Sequence, residues 1–316
     1  MIFLDIVCIL LVSSWYLLFS LQSAFLLTII IGILRVAASA DADFVLFLLN
    51  WFLPDSSNKL QGQVIWITGA SRGIGEAYAI VLAKSGAKLA LSARDEQRLQ
   101  QVKQKCLDAG AREEDILLVP LDMVKYEDHE QAFNKVLQYF GKVSVLLNNA
   151  GRSQRARWDD IELSVDKELF ELNVFSLVAL ARRVNKYFRT VGGGHHVVTS
   201  STLGKFGGPN SASYTASKHA LHGYFESLRV EGLKDNISVT MLCPGPVESE
   251  LLQHAFTEKL GQGVSGERSG RRMSAMRCAH LSATAIAYKL PEAWVVEQPV
   301  LLLQYTVYYL PYVAFR

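Results

Sequence analysis

Residues 63–83 read Q-V-I-W-I-T-G-A-S-R-G-I-G-E-A-Y-A-I-V-L-A: a short apolar run, a glycine-rich turn, then a helical stretch. A strand that passes through a tight turn into a helix is half of a β-α-β unit. Such units build a parallel sheet covered by helices on both faces. The same alternation continues down the chain. Strand candidates at 87–93, 115–121, 143–147, 195–200 and 237–243 are separated by helical stretches at 95–109, 126–140 and 161–190, and by one that carries Tyr214. The expected fold is α/β, a Rossmann-type doubly wound parallel sheet of about seven strands. Ligands of such sheets bind at the carboxyl ends of the strands.

The chemistry-bearing residues fall at those ends. The turn runs from Thr68 to Gly75, with glycines at Gly69, Gly73 and Gly75. Its spacing differs from G-x-G-x-x-G, and alone it requires no more than a tight turn. With a strand before it and a helix after it, its backbone amides can approach a pyrophosphate at the helix N-terminus. The second strand ends at Arg94. An acidic residue in that region would pair with the ribose hydroxyls of NAD, whereas an arginine suits the 2′-phosphate of NADP. Arg72, inside the turn, adds a second positive charge. The pair reads either as two solvated surface arginines or as an NADP(H) signal. Asp122, the Asn148–Gly151 segment N-N-A-G and the Pro244–Ser249 segment P-G-P-V-E-S end three further strands.

Ser201–Lys218 reads S-T-L-G-K-F-G-G-P-N-S-A-S-Y-T-A-S-K. Tyr214 and Lys218 are four apart and share one helix face. A phenol with a pKa of about 10 is a poor acid or base near neutrality. A lysine cation one turn away is expected to favour the phenolate, so that Tyr214 can exchange a proton with a carbonyl or alcohol oxygen. Ser201 closes an apolar run and could hold the same oxygen. A Y-x-x-x-K pair by itself is also what a solvated helix face looks like; its position among the other strand-end motifs sets it apart.

Composition narrows the alternatives. With 32 Lys+Arg against 30 Asp+Glu the net charge is +2, which offers no basic face for nucleic acid. Cys8, Cys106, Cys243 and Cys278 are scattered, with neither a disulfide framework nor zinc spacing. His195-His196 follows three glycines and reads as a turn entering a strand, not a metal site; no metal is expected.

Residues 6–34 are almost wholly apolar, with Gln22 the one strongly polar side chain. About 20 residues cross a hydrocarbon core, so this run suits a single-pass anchor. Ala38-Ser39-Ala40 resembles a signal cleavage site, but the run is longer than a signal core and no basic residue precedes it. Arg35 after the run favours the cytosolic side for the body over the luminal one, where the acceptor triplet Asn236-Ile237-Ser238 could be glycosylated. Residues 44–53 are apolar but too short to span, and suit a membrane surface or packing on the body. Residues 54–58 read as a linker, and 261–272 as a mobile loop near substrate entry. The tyrosine-rich tail from Pro299 suits a membrane interface, the mouth of an apolar pocket or a dimer contact. The expected division is a transmembrane anchor at 1–40, an amphipathic segment and linker at 41–60, a catalytic domain at 61–298 and an interface tail at 299–316.

T-G-A-S-R-G-I-G, N-N-A-G, Asn173, Ser201, Y-T-A-S-K and P-G-P-V occur in the order of the short-chain dehydrogenase/reductase family, which residues 60–255 resemble. The resemblance implies Tyr214 as general acid/base, Lys218 lowering its pKa and holding the nicotinamide ribose, Ser201 orienting the substrate oxygen, and Asn173 completing a proton relay through water. It further implies that Gly69, Ser71, Arg72, Gly73, Ile74, Gly75, Arg94, Asp122, Asn149, Ala150 and Gly151 line an NADP(H) site that Pro244, Gly245, Val247 and Ser249 close over. Many relatives carry threonine where this chain has Ser249. The activity implied is that of a membrane-anchored oxidoreductase, in the endoplasmic reticulum, acting on lipophilic carbonyls and alcohols such as steroids, retinoids or xenobiotic ketones. The alternatives are a reductase of long-chain keto-lipids of the 3-ketosphinganine type and a non-catalytic NADP(H)-binding scaffold. Relatives also form homo-oligomers through the long helices that carry Asn173 and Tyr214.

Overall fold

A computed structural model describes residues 2–53, 57–261 and 270–314. Most of the expected entry loop (262–269), of the linker (54–56) and the last two residues of the tail lie outside the described residues, as does the side chain of Cys8. The chain divides into two compact units, Met1–Ala40 and Asp41–Arg316.

The first unit is a single helix, α1 (Ile2–Ser39), of 38 residues. At 1.5 Å per residue it is about 57 Å long. Its Gln22–Ser39 window has a mean hydropathy of 1.7 and buries nothing in the protein, which makes it a candidate membrane span by length and composition. Ser23 and Thr28 return their hydroxyl protons to carbonyls one turn back, at 2.8 Å each, which removes two polar groups from the helix exterior.

The second unit begins along a sheet edge. The Asp43 N–H donates to the Trp294 carbonyl at 2.9 Å, and its carboxylate accepts from the Trp294 N–H at 2.7 Å. The other carboxylate oxygen caps α2 (Phe44–Phe52) by accepting from Leu46 N–H. A short α3 (Ser57–Leu60) leads into the sheet.

Seven strands follow, β1 (Val64–Thr68), β2 (Lys88–Ser92), β3 (Ile116–Leu118), β4 (Val145–Asn148), β5 (Gly194–Thr199), β6 (Ile237–Pro244) and β7 (Glu292–Val295). All pair in parallel, in the order β3-β2-β1-β4-β5-β6-β7. The period-2 pattern of β1 explains the layers. Ile65 and Ile67 join the core under α4 (Gly73–Lys84), α5 (Glu96–Asp108) and α10 (Ala275–Ala287). Val64 and Trp66 join the opposite core, under α6 (Asp128–Phe140), α8 (Ser176–Thr190) and α9 (Ala212–Gly232). α7 (Leu163–Phe170) precedes α8, and α11 (Val300–Tyr309) and α12 (Pro311–Ala314) end the described chain.

Three local features depart from the sequence expectation. β3 ends at Leu118, short of 121, although the Val119 and Leu121 N–H groups still donate to the Leu91 and Ala93 carbonyls at 2.9 and 3.0 Å on either side of Pro120. The seventh strand is Glu292–Val295, which the alternation did not locate. The helix expected over 161–190 is broken into α7 and α8 by a π-helical turn at Glu171–Phe175. The strand order reverses between β1 and β4, so the crevice opens between Gly69 and Asn149.

Candidate active site

A cavity of about 920 Å³ lies at the carboxyl ends of the strands. It is lined by every site residue expected from sequence except Asn173. At its floor the glycine turn packs against β4. Gly69 has φ +68°, and a Cβ there would stand 2.8 Å from the Ala150 Cα. A Cβ on Gly75 would stand 2.1 Å from the Gly69 carbonyl oxygen. Asn149 fixes the approach: its side-chain amide donates to the Thr68 and Gly69 carbonyls at 3.1 and 3.2 Å, and its N–H donates to the Thr68 hydroxyl at 3.0 Å. Arg72, the N-cap of α4, makes no side-chain cap bond, so no side chain of its own covers the amides opening that helix. A side-chain-free cradle at the start of a helix fits a pyrophosphate.

Around the cradle stand more arginines than the sequence reading singled out. Arg72 and Arg98 share one Glu250 oxygen at 3.5 and 3.2 Å. Arg152 lays its guanidinium 4.3 Å over the Phe256 ring and donates to the His254 carbonyl. Burial, followed by the fields of Arg94 and then Arg72, holds Arg152 below the usual arginine range against the opposing Glu168. Arg98 follows Arg94 by four residues at the start of α5, and Arg152 directly follows N-N-A-G. Both positions were open to inspection in the sequence, but neither belongs to a motif.

Ser201 leaves β5 and caps a 3-10 turn at Thr202–Gly204. Its hydroxyl accepts from Leu203 N–H at 3.1 Å and donates to the Pro244 carbonyl at 3.4 Å. Tyr214 opens α9 and is buried, with Lys218 one turn on. The Lys218 ammonium donates to the Thr199 carbonyl at 2.9 Å and lies 5.6 Å from the Tyr214 ring centre. The Arg155 guanidinium lies 5.6 Å from the same centre. Burial pushes the Tyr214 phenol up; a hydrogen bond with Ser201 and then the charge of Arg155 oppose it. Burial pushes Lys218 down to about 8. The charge relation therefore differs from the expected one. The cation that favours the phenolate is Arg155, while Lys218 is spent on Thr199 and is itself weakened by burial. A phenol poised in this way can exchange a proton with an oxygen placed against it.

Asn173 sits in the π-helical turn, fully buried behind the cavity wall. Its Oδ1 accepts from Arg152 N–H at 2.8 Å, and its Nδ2 donates to the Arg152 carbonyl at 2.9 Å and to the Ser217 hydroxyl at 3.1 Å. Both amide protons are used, so the side chain ties the 151–152 segment to α9 and has no donor left for a water.

Behind Ser201 lies a polar cluster that the sequence did not reveal. His222, Cys243 and Glu292 place ligating atoms within 4.8 Å of one another. The Lys205 ammonium pairs with Glu292 at 3.1 Å, and His222 bonds the Ser200 hydroxyl at 3.1 Å. A positive charge thus already sits on this carboxylate. His195 and His196 are buried in β5, and burial lowers both to about 3, so they are neutral core residues.

The family model described as short chain dehydrogenase matches residues 63–260. The chain belongs to the short-chain dehydrogenase/reductase family. It is 39% identical to dehydrogenase/reductase SDR family member 7 of Homo sapiens over 290 residues, 90% of this chain and 85% of that one. It is 36% identical to 11-beta-hydroxysteroid dehydrogenase A of Sesamum indicum over 67% of this chain and 64% of the other. Among solved structures, 3-ketoacyl-(acyl-carrier-protein) reductase from Brucella melitensis, complexed with NADH, superposes with a TM-score of 0.62 at 28% identity, covering 72% of this chain and 91% of that one. The family and this neighbour make the chain an oxidoreductase with a nicotinamide cofactor, and the glycine cradle fits one.

Proposed function

We propose that this short-chain dehydrogenase is a membrane-anchored, NADP(H)-dependent oxidoreductase that interconverts carbonyls and alcohols of lipophilic substrates, with steroids, retinoids and xenobiotic ketones as the substrate class. The observation that carries the reading is the buried Tyr214 phenol, flanked by two cations and sharing one cavity with Ser201 and the glycine cradle. Similarity to an 11-beta-hydroxysteroid dehydrogenase supports a steroid-type substrate.

The glycine turn, Asp122 and the 149–151 segment would hold the dinucleotide, with Pro244, Gly245, Val247 and Ser249 closing over it. Arg94, with Arg72 and Arg98, would meet a 2′-phosphate. When bound, the nicotinamide supplies or accepts the hydride. Ser201 orients the substrate oxygen, and Tyr214 gives its proton during reduction and takes it back during oxidation. Ser201 and Arg155 stabilise the phenolate that reduction leaves. Lys218 anchors the ribose from the Thr199 end, and Asn173 positions Gly151 and Arg152. Any relay water at Asn173 uses the main chain, because the amide is engaged.

The membrane reading rests on α1 and on an exposed apolar surface of the second unit. Phe44 N–H donates to the Tyr305 hydroxyl at 2.8 Å and joins α2 to α11. Phe52 and Trp51 on the first, and Tyr309 and Tyr312 on or beyond the second, are exposed. Val300, Leu303 and Val307 of α11 line the cavity, so a bilayer against this surface would border the substrate's entrance. The membrane is that of the endoplasmic reticulum. Exposed Phe175, Tyr224 and Val230 suit a homo-oligomer contact.

The test is NADPH and NADH oxidation by the full-length protein across steroid, retinoid and long-chain keto-lipid carbonyls, beside Arg94→Asp. The reading expects NADPH turnover with steroid-type ketones and at least a tenfold loss of NADPH preference in Arg94→Asp. Turnover with NADH alone would refute the cofactor assignment; turnover of 3-ketosphinganine-type amino ketones alone would refute the substrate class.

A further inference from the structure

We infer that the substrate end of the cleft carries an oxyanion site made by Arg155 and Arg272, and that the preferred substrate is an apolar ketone or alcohol bearing a carboxylate. The inference rests on the oxidoreductase reading above and sharpens its substrate class.

Both arginines are placed by backbone, not left on free loops. Gln154 bridges Phe256, with Arg155 N–H donating to the Phe256 carbonyl at 2.8 Å. Met273 bridges Val247, its N–H donating to the Pro246 carbonyl at 3.0 Å and its carbonyl accepting from Glu248 at 2.9 Å. Arg272 is therefore held beside the P-G-P-V loop, and Arg155 beside Tyr214. Both line the cavity.

Neither has a carboxylate partner among the described residues. Arg155 donates to its neighbour's carbonyl, Gln154, at 2.6 Å. The Arg272 Nε is buried and meets no acceptor among the described residues. Arg155 is partly buried; burial disfavours its charge, the Tyr214 phenol opposes that, and the field of Arg272 adds to it. The acids that line the same cavity are engaged elsewhere: Glu250 with Arg72 and Arg98, Asp95 with Arg98, and Asp122 with Val124 N–H, while Glu168 acts on Arg152. Two mutually repelling, half-desolvated cations with an orphaned donor call for an anion, because desolvated charge is otherwise costly. The cofactor's phosphates belong at the glycine turn and Arg94. The anion is then the substrate's, close to the reacting carbonyl, since Arg155 lies against the Tyr214 ring. Planar guanidinium forks match a carboxylate. The remaining lining at this end, Leu203, Phe206, Phe256, Leu303 and Val307, takes the hydrocarbon body.

The experiment compares 4-oxododecanoate with its methyl ester on the full-length protein loaded with NADPH, by calorimetric affinity and by kcat/KM. Wild type is set beside Arg155→Gln, Arg272→Gln, Arg272→Lys and the Arg155→Gln/Arg272→Gln pair. The expected result is an acid affinity about tenfold or more above that of the ester. That preference should weaken with salt, fall in each Gln variant, survive in part in Arg272→Lys and vanish in the pair, with NADPH affinity unchanged. An ester bound as tightly as the acid by wild type, or an acid preference that survives in the double variant, overturns the inference. Binding and turnover separate the two claims. Arginine-dependent acid preference without any turnover would support the anion site and sink the oxidoreductase reading of it; turnover of the ester at the acid's rate would do the reverse.

Discussion

At the residue scale the site is a balance of buried charges. Lys218 has an ordinary value of 10.5 and is held down to about 8 by burial. The unfolded chain therefore binds more protons than the folded one between these values, and stability rises with pH through that window as far as this group is concerned. Below about 8 the cost of burying the ammonium is fully present. Lys218→Met removes that cost and leaves the Thr199 carbonyl without its donor, a net gain of roughly 1–3 kcal/mol. Calorimetric melting of the cofactor-free protein at neutral pH should give a higher Tm for Lys218→Met, with the gap closing towards pH ~10, while turnover is lost. A variant that melts lower than wild type at neutral pH would contradict this account of Lys218. Tyr214, Ser201 and Lys218 were legible in sequence because four-residue spacing on a helix and a strand end fix their positions. Arg155 was not: it reaches the phenol through a bridge between residues 154 and 256, a contact that no local pattern records.

At the element scale the glycine turn, as the proposed cradle, would couple folding to cofactor binding. A methyl on Gly75 would stand 2.1 Å from the Gly69 carbonyl oxygen and 2.6 Å from the Asn149 amide, which holds the turn against β4. Gly75→Ala should cost roughly 1–3 kcal/mol by overpacking, and NADPH affinity read by fluorescence titration should fall at least tenfold. An alanine variant that binds NADPH as wild type does would show that the turn is not the cradle. Strand–turn–helix alternation made β1, β2, β4, β5 and β6 readable, since each is a short apolar run between turns. The π-helical turn was not readable. Residues 161–190 hold neither Pro nor Gly to mark a break, and the turn serves the hydrogen bonds of Asn173 to Arg152, twenty-one residues away. π-helical turns of this kind recur at functional sites. β7 was missed because four residues, E-A-W-V, carry too little pattern before a polar turn.

For the whole molecule, the sheet gathers strand ends from residues 68 to 249 around one cavity, and an apolar surface from α2 and α11 borders it. The anchor reading predicts that the full-length protein stays in the membrane pellet through alkaline carbonate and is released by detergent. The proposed cytosolic side for the body predicts that the acceptor triplet Asn236-Ile237-Ser238 stays unmodified, so endoglycosidase should leave gel mobility unchanged; a mobility shift would place the body in the lumen. Length and hydropathy made α1 legible at once, whereas the pairing of 41–43 with β7 needed coordinates. The central claim is that Tyr214 supplies the proton for hydride transfer in this cavity. It is tested most directly by following deuterium from the reactive hydrogen of labelled NADPH into the alcohol product by mass spectrometry, with wild type beside Tyr214→Phe on a steroid ketone. The account predicts label at the carbinol carbon for wild type, and a rate lower by about 10²–10⁴ in Tyr214→Phe with NADPH still bound. Equal label transfer by the phenylalanine variant would contradict it.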